Sequence, residues 1–525
     1  MTAEATPGQP ALPRHSAAVK KLLTWDAAVL AALALYLVFI RTLTYDEPLH
    51  SDHGTFAVIG HELLKGRNLY SDLWDHKPPG IYVTYAITEF LFGYGVHEVF
   101  ILNIVTGLVT LAGVYCAVLH ASGRVPALWA AAFWAVIGGT YTLWANQPKV
   151  EAFLNSSLVW SVALLIRLKS DSFHWKLSLG AGAMIVLASF YKHSTVLIAF
   201  WLALGHLAAA WSDPARRRIA FRQVELFMGL GLLAWVALFS YYAARGFWGD
   251  FFDALITYNQ YFSGGPMEGI KRLSPQYWFP FFLRWAMPVA IPIIIVCVIG
   301  VKRGPTREWL VFTGYLLGVQ TSISFHSYVL QNYSQLWLPV MAIGGGMALG
   351  QIPAARLQKF LVHGAGSIVL VYLLCHELPW YGLTPQEIVD RKYNMPWSTT
   401  TQVRDLSKEI KVMLEPGETM YEWGFNACFF FYTGISPPVG NFLNIHVRYG
   451  PLKEELTQRV LDDLQRNKPE LVLFPRWFLD VHPVTSYCHF QYAPLPENAI
   501  RGHFILLARK GGALEARLKQ RGREE

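Results

Sequence analysis

The chain is poor in charge. Asp, Glu, Lys and Arg make up 15% of its 525 residues, against roughly a quarter in soluble domains. With 53% hydrophobic residues and long apolar runs, that deficit excludes an ordinary soluble protein and points to the membrane class. Cysteine is scarce too. The 5 cysteines show no CxxC and no metal-ligand spacing, so neither a disulfide scaffold nor a zinc module organises the chain. Neither a P-loop nor a GxGxxG in a strand–helix context appears, which leaves nucleotide chemistry without a seat. A cleavable signal peptide is not expected, because the first apolar run is too long and lacks a small-residue cleavage site. There is no internal repeat of the kind that marks inverted-repeat carriers.

Aromatic residues are abundant, with 19 Trp, 25 Tyr and 32 Phe, as interfacial belts require. The net charge of +8 is not a nucleic-acid signal, because Lys and Arg fall in short clusters between apolar runs. Residues 1–20 read as a disordered, polar N-terminus. Arg14, Lys20 and Lys21 precede the first predicted span, 24–43. Positive charge stays in the cytoplasm, so the next stretch is placed outside. That stretch, residues 45–80, is YDEPLHSDHGTFAVIGHELLKGRNLYSDLWDHKPPG, dense polar chemistry directly after a span. Asp52 reads as a helix N-cap, with Phe56, Ile59, Leu63 and Leu64 at helical spacing and Gly66 as the stop. The expectation is a short amphipathic helix on the membrane surface.

Residues 80–95 are apolar but short and contain Glu89. If they crossed, the basic loops at Arg124, Arg167/Lys169/Lys176 and Arg216–Arg218 would all fall outside. They are therefore read as a second juxtamembrane helix, within a first external loop of 44–97. The remaining spans are expected at 98–119, 125–143, 150–167, 176–191, 194–212, 224–245, 284–301, 308–325, 329–350 and 359–378. That gives an α-helical polytopic membrane protein of about eleven transmembrane helices, with a membrane domain of 21–379. From 380 to 525 the composition becomes that of a small external α/β domain. Helices are expected at 400–413 and 453–467, and strands at 419–423, 471–475 and 503–510.

This topology brings Asp52, His76, Lys77, Glu151, Lys192 and His326 to one side of the membrane. Four of them have an ordinary reading: a cap for Asp52, a helix-start acid for Glu151, an interfacial anchor for Lys192, and a loop or aromatic-belt residue for His326. Asp46 and Glu47 read as a solvated acidic pair. Together the set suits transfer chemistry on a lipid-borne substrate. An acid activates a hydroxyl or amine, and Lys and His neutralise a phosphate leaving group.

The stretch SDHGTFAVIGHELLKGRNLYSDLWDHKPPG resembles the first external loop of the GT-C membrane glycosyltransferases. The branch it is most similar to is that of protein O-mannosyltransferases and the aminoarabinose transferases of lipid A. Asp52, Phe56, Ala57 and Lys77-Pro78-Pro79 occupy the places of the acid, the aromatic, the small residue and the KPP motif. WANQPKVEAFLNSS resembles the second external loop, with Glu151 at its acid. SFYKHS, with Lys192, and FHSYVLQNYSQLWLP, with His326, Tyr328 and Pro339, resemble later motifs. The resemblance covers 45–350 in order. His53 stands where the family usually has Glu.

The resemblance implies an inverting transfer from a polyprenyl-phosphate sugar to an acceptor on the outer face. Asp52 would be the general base, with Glu151 assisting. Lys77, Lys192 and His326 would meet the donor phosphate, and His53, His76 and Tyr328 would shape the acceptor side. Some relatives use a divalent metal and others none, so metal dependence stays open; no nucleotide cofactor and no nucleic acid are expected. The acceptor could be a glycan, a lipid or a protein. The setting expected is a bacterial inner membrane, with the N-terminus cytoplasmic and the C-terminal domain periplasmic or extracellular. Alternatives are a polyprenyl-lipid carrier, which would place ionisable groups mid-membrane, and a non-catalytic assembly protein.

Overall fold

The computed structural model describes residues 15–301, 306–325, 331–352, 357–393, 399–477, 481–495 and 499–524. His326 and Tyr328 lie outside the described residues. A helix stands at each position where hydropathy predicts a span: His15–Thr42, Val96–Ser122, Arg124–Ile137, Val150–Arg167, Trp175–Tyr191, Thr195–Ala208, Pro214–Ala244, Met287–Val301, Arg307–Ser324, Trp337–Gly350 and Gln358–Tyr381. Among the described residues, 5 helices are long and apolar enough to cross a membrane: Trp25–Thr42, Val96–Ser122, Val150–Arg167, Pro214–Ala244 and Gln358–Tyr381. The Pro214–Ala244 helix buries only Ala220, Gln223, Phe227 and Tyr242 against protein. It exposes Leu232, Leu233 and Val236, the surface a lipid solvent covers.

Two predicted boundaries move. The helix expected over 125–143 ends at Ile137, and residues 138–149 fold into a buried turn. Arg41, at the end of the first long helix, holds that turn by donating to the carbonyls of Gly138 (2.6 Å) and Ala145 (3.1 Å). The helix expected over 329–350 starts at Trp337, after a 3₁₀ turn over Gln331–Leu336. Between them, Gly80–Phe92 forms a helix of 13 residues. At 1.5 Å per residue that is about 20 Å, short of the roughly 30 Å hydrocarbon core.

Close helix pairs use glycine as small-residue contacts do in membranes. A Cβ on Gly205 would lie 2.6 Å from the Leu310 carbonyl oxygen, and one on Gly318 2.8 Å from the Ile198 Cα. Neither position tolerates a larger side chain without parting the Thr195–Ala208 and Arg307–Ser324 helices.

The C-terminal residues build a sheet of five strands: β1 (Met420–Glu422), β2 (Leu471–Pro475), β3 (Tyr492–Pro494), β4 (Ile500–Arg501) and β5 (Phe504–Arg509). The order is β1-β2-β5-β3, with β4 also on β5. β1 and β2 run parallel, and the remaining pairs are antiparallel. β2 is buried along its whole length, as its unbroken LVLFP run predicts. The helices Thr400–Met413 and Lys453–Asn467 fall where predicted. Cys428 and Cys488 are both free and buried, so they do not pair.

Candidate functional site

The polar loop folds into the Ser51–Leu64 helix. Its N-cap is His50, not Asp52: His50 is extended, and its Nδ1 accepts from the Asp52 backbone N–H at 3.2 Å. The imidazole thus takes an orphan donor of the first turn, and the Asp52 carboxylate is left for other work. Nor does the helix lie on a membrane surface. His53, Phe56, Ala57, Ile59 and Glu62 are all buried. One side meets Cys428: a Cβ on Gly54 would lie 2.7 Å from its N and Sγ. Glycine here lets the C-terminal part of the chain close over the helix.

Asp52 opens into a cavity of about 780 Å³. Among its described lining residues, Lys77, Lys149 and Lys192 face Asp52, Asp75 and Glu151, so the formal charges of these six cancel. Lys149 caps the Val150–Arg167 helix, and Glu151 sits in its first turn. Lys149 Nζ lies 3.3 Å from Asp52 Oδ2, with the Lys149 side chain 3% exposed and the Asp52 side chain 40% exposed. Asp52 faces the cavity rather than bulk water, because it lines the cavity wall. Burial by itself would raise its pKa. The Lys149 ammonium, with His50, Lys77 and His53, more than offsets that and holds the carboxyl well below the usual range. Lys149 also sits 4.7 Å from the Trp144 ring centroid.

Lys192 ends the Trp175–Tyr191 helix in extended conformation. It donates to Glu151 Oε1 at 2.9 Å and lies 4.0 Å from the centroid of Tyr333. Asn332 donates to the other Glu151 oxygen at 3.4 Å. Burial lowers the Lys192 pKa, and Glu151 counters the effect.

The KPP segment supplies the opposite wall. Lys77 lies 3.7 Å from Asp75 Oδ2 and 5.2 Å from the Phe56 ring centroid. Burial opposes its charge, but Asp75, Asp52 and Glu151 together raise its pKa. Tyr70 and Tyr82 brace the loop: the Tyr70 hydroxyl donates to the Lys77 carbonyl (2.8 Å) and the Tyr82 hydroxyl to Asp75 Oδ2 (2.6 Å). Pro79 then caps Gly80–Phe92, where a missing N–H costs nothing.

Asp75, His76 and His446 form a second cluster on this wall. Their potential ligand atoms lie within 4.8 Å of one another. His76 Nδ1 is 2.9 Å from Asp75 Oδ1 and 3.1 Å from His446 Nε2. One carboxylate and two imidazoles suit a borderline divalent ion such as zinc. Burial lowers the His446 pKa to about 3 and the His50 pKa to about 3. Neutral imidazole is the form a metal takes.

The structure therefore brings Asp52, His76, Lys77, Glu151 and Lys192 to one cavity. His53 lies behind it, fully buried, with neither ring nitrogen hydrogen-bonded. Sequence reasoning missed Lys149, His50 and the tail residues Tyr393, Asn426 and His446, all on the cavity wall. Lys149 was visible two residues before Glu151. The tail residues carried no local signal. Glu47, read as solvated, is 2% exposed and pairs with Lys392 at 2.6 Å.

No family model and no curated protein matches the chain. Solved structures do. ArnT from Cupriavidus metallidurans bound to undecaprenyl phosphate aligns at TM-score 0.64 and 15% identity, over 92% of this chain and 97% of that one. The same protein in the apo state gives 0.61 and 16%, over 93% and 98%. The Archaeoglobus fulgidus oligosaccharyltransferase, tethered with an acceptor peptide containing the NVT sequon, gives 0.50 and 11%, over 86% of this chain and 69% of that one. The shared feature is the fold.

Proposed function

We propose that this protein is an integral membrane glycosyltransferase that moves a sugar from a polyprenyl-phosphate donor to an acceptor on the outer face of the membrane. One observation carries the reading. Asp52 and three lysines meet in a single cavity at one end of the helical bundle, within a fold shared with a protein whose structure holds undecaprenyl phosphate. Charges gathered at one end serve a surface reaction; a carrier would need them at mid-membrane.

The donor phosphate would lie against Lys77 and Lys192, whose ammonium groups face the cavity, with His326 the further candidate. Asp52 would accept a hydrogen bond from the acceptor nucleophile and align it on the anomeric carbon. The nucleophile–carbon bond forms as the carbon–oxygen bond to phosphate breaks. Attack opposite the leaving group inverts the centre, and the proton passes to Asp52. A carboxylate held so far below its usual pKa is a weak base, so that transfer comes late, once bonding to carbon has acidified the nucleophile. The polyprenyl phosphate leaves with its charge met by lysine. Glu151 would hold Lys192 in place.

A divalent ion held by Asp75, His76 and His446 would supply positive charge beside Lys77. The setting that fits is a bacterial inner membrane with the tail outside.

The test is turnover of radiolabelled polyprenyl-phosphate sugars by purified protein in detergent, with Asp52→Asn as control. One donor consumed by the native protein and spared by the variant establishes the reaction and names the sugar. Full activity in Asp52→Asn defeats the assignment of Asp52.

A further inference from the structure

A second cleft adjoins the mouth of the cavity. It measures about 450 Å³ and lies wholly within the C-terminal part of the chain. Its floor is the Thr400–Met413 helix, presenting Thr401, Asp405 and Glu409; its wall is the β4–β5 turn, presenting Arg501 and His503. Their linings come close at two places. Thr400 lines the cavity and Thr401 the cleft, and neighbouring Cα atoms are about 3.8 Å apart. Trp477 lines the cavity and His503 the cleft, with ring centroids 5.6 Å apart. Both rings are exposed.

The cleft is rigid. Gln402 bridges helix and turn, donating to the Arg501 carbonyl at 2.7 Å and accepting from the His503 N–H at 3.2 Å. Arg476 N–H donates to the His503 carbonyl at 2.8 Å, which ties the end of β2 to the same turn. Arg404 donates to the Asp46 carbonyl at 3.1 Å, so the floor helix is anchored to the loop that carries Asp52.

The lining is polar but electrically balanced. Arg501 pairs with Glu409 at 3.3 Å, and Asp405 with Lys408 at 3.1 Å. A free cation or anion would have to displace one of these partners. Mixed donors and acceptors beside an exposed tryptophan suit a molecule that carries both hydroxyls and C–H faces.

We propose that this cleft is an acceptor subsite for a neutral, hydroxyl-rich oligosaccharide, whose reacting end passes Trp477 to reach Asp52. This deepens the transfer reading and rests on it: the acceptor is a glycan chain, held at a distance from the reacting bond.

The experiment uses the full-length protein in detergent and saturation-transfer NMR. The probes are short linear mannan, arabinan and glucan fragments, with polygalacturonate fragments as the anionic comparison. Undecaprenyl phosphate binding is measured on the same preparations. Expected is binding of at least one neutral fragment, weakened about tenfold in Trp477→Ala and in His503→Ala, with undecaprenyl phosphate binding unchanged in His503→Ala, whose side chain lines the cleft alone. No neutral fragment bound, equal binding by the variants, or preference for polygalacturonate overturns the proposal. Failure to bind undecaprenyl phosphate by the native protein strikes the donor reading instead, and leaves the oligosaccharide result readable by itself.

Discussion

Lys149 Nζ sits 3.3 Å from Asp52 Oδ2, and it is the largest influence opposing the effect of burial on that carboxyl. A depressed pKa means the carboxylate form persists as pH falls, and is lost only below the ordinary carboxylate value of about 3.9. If Asp52 carries the proposed transfer, the native protein should therefore show no acid limb from Asp52 above that value. In Lys149→Met the largest charge opposing burial is gone, and the smaller effects of His50, Lys77 and His53 remain. The pKa of Asp52 rises, and activity falls as pH drops through the new value. Lys149→Arg should keep the native profile. A pH series of kcat/KM on the three proteins decides this; superposable profiles would remove Lys149 from its role.

Asp52→Asn keeps the shape of the side chain and removes its ability to take a proton. Transfer should fall by about 10²–10⁴, with membrane insertion unchanged. Radiolabel transfer and size-exclusion behaviour in detergent measure the two halves of that statement.

Removing Lys192 should show chiefly in donor binding. Lys192→Ala takes a cation from beside the expected phosphate and leaves Glu151 Oε1 without its partner at 2.9 Å. We expect weaker undecaprenyl phosphate binding by about tenfold or more, read by competition with labelled lipid. Undiminished binding would place the phosphate elsewhere.

The cluster of Asp75, His76 and His446 predicts a metal content. Elemental analysis of protein purified without chelator should find about one divalent ion per chain, and His446→Ala should lose it. Equal metal in both proteins would mean the ion is held elsewhere. Because neutral imidazoles are the ligands, the ion should also dissociate as acid protonates them.

Glu47 and Lys392 are both almost fully buried and lie 2.6 Å apart. Lys392→Ala leaves a buried carboxylate uncompensated, which should destabilise the fold by about 3–5 kcal/mol. Asn146, which donates to the second Glu47 oxygen, would be strained as well. Thermal unfolding in detergent should show the loss, and Glu47→Gln combined with Lys392→Met should recover much of it.

Much of the scaffold was legible because bilayer physics writes itself in composition. The Pro214–Ala244 and Val96–Ser122 helices announce themselves by apolar length. The strand LVLFP did so by its unbroken run between turn signals. Asp52, Lys77, Glu151 and Lys192 were legible from charges placed at span ends and from the KPP loop. What escaped was decided by tertiary contact. His50 took the cap from Asp52 because its ring folds back onto the helix start. The Ser51–Leu64 helix looked amphipathic, yet it is buried, with Phe56 and Gly60 against the Gly80–Phe92 helix and Gly54 against Cys428, remote in sequence. Glu47 looked solvated because Lys392 is equally remote.

His446 reaches Asp75 and His76 from the far side of the chain, and Gly54 is closed over by Cys428. Gene fusion and domain exchange treat a tail like this as a separable module, grafted to change what an enzyme recognises. Here the graft boundary would run through the wall of the Asp52 cavity, which both parts of the chain line. A chimera joined near residue 380 would separate His446 from Asp75 and His76 and leave the loop helix uncovered. Exchange of acceptor preference should therefore succeed only at smaller scale, through the β4–β5 turn and the outer face of the Thr400–Met413 helix, where the surface changes and the cavity does not.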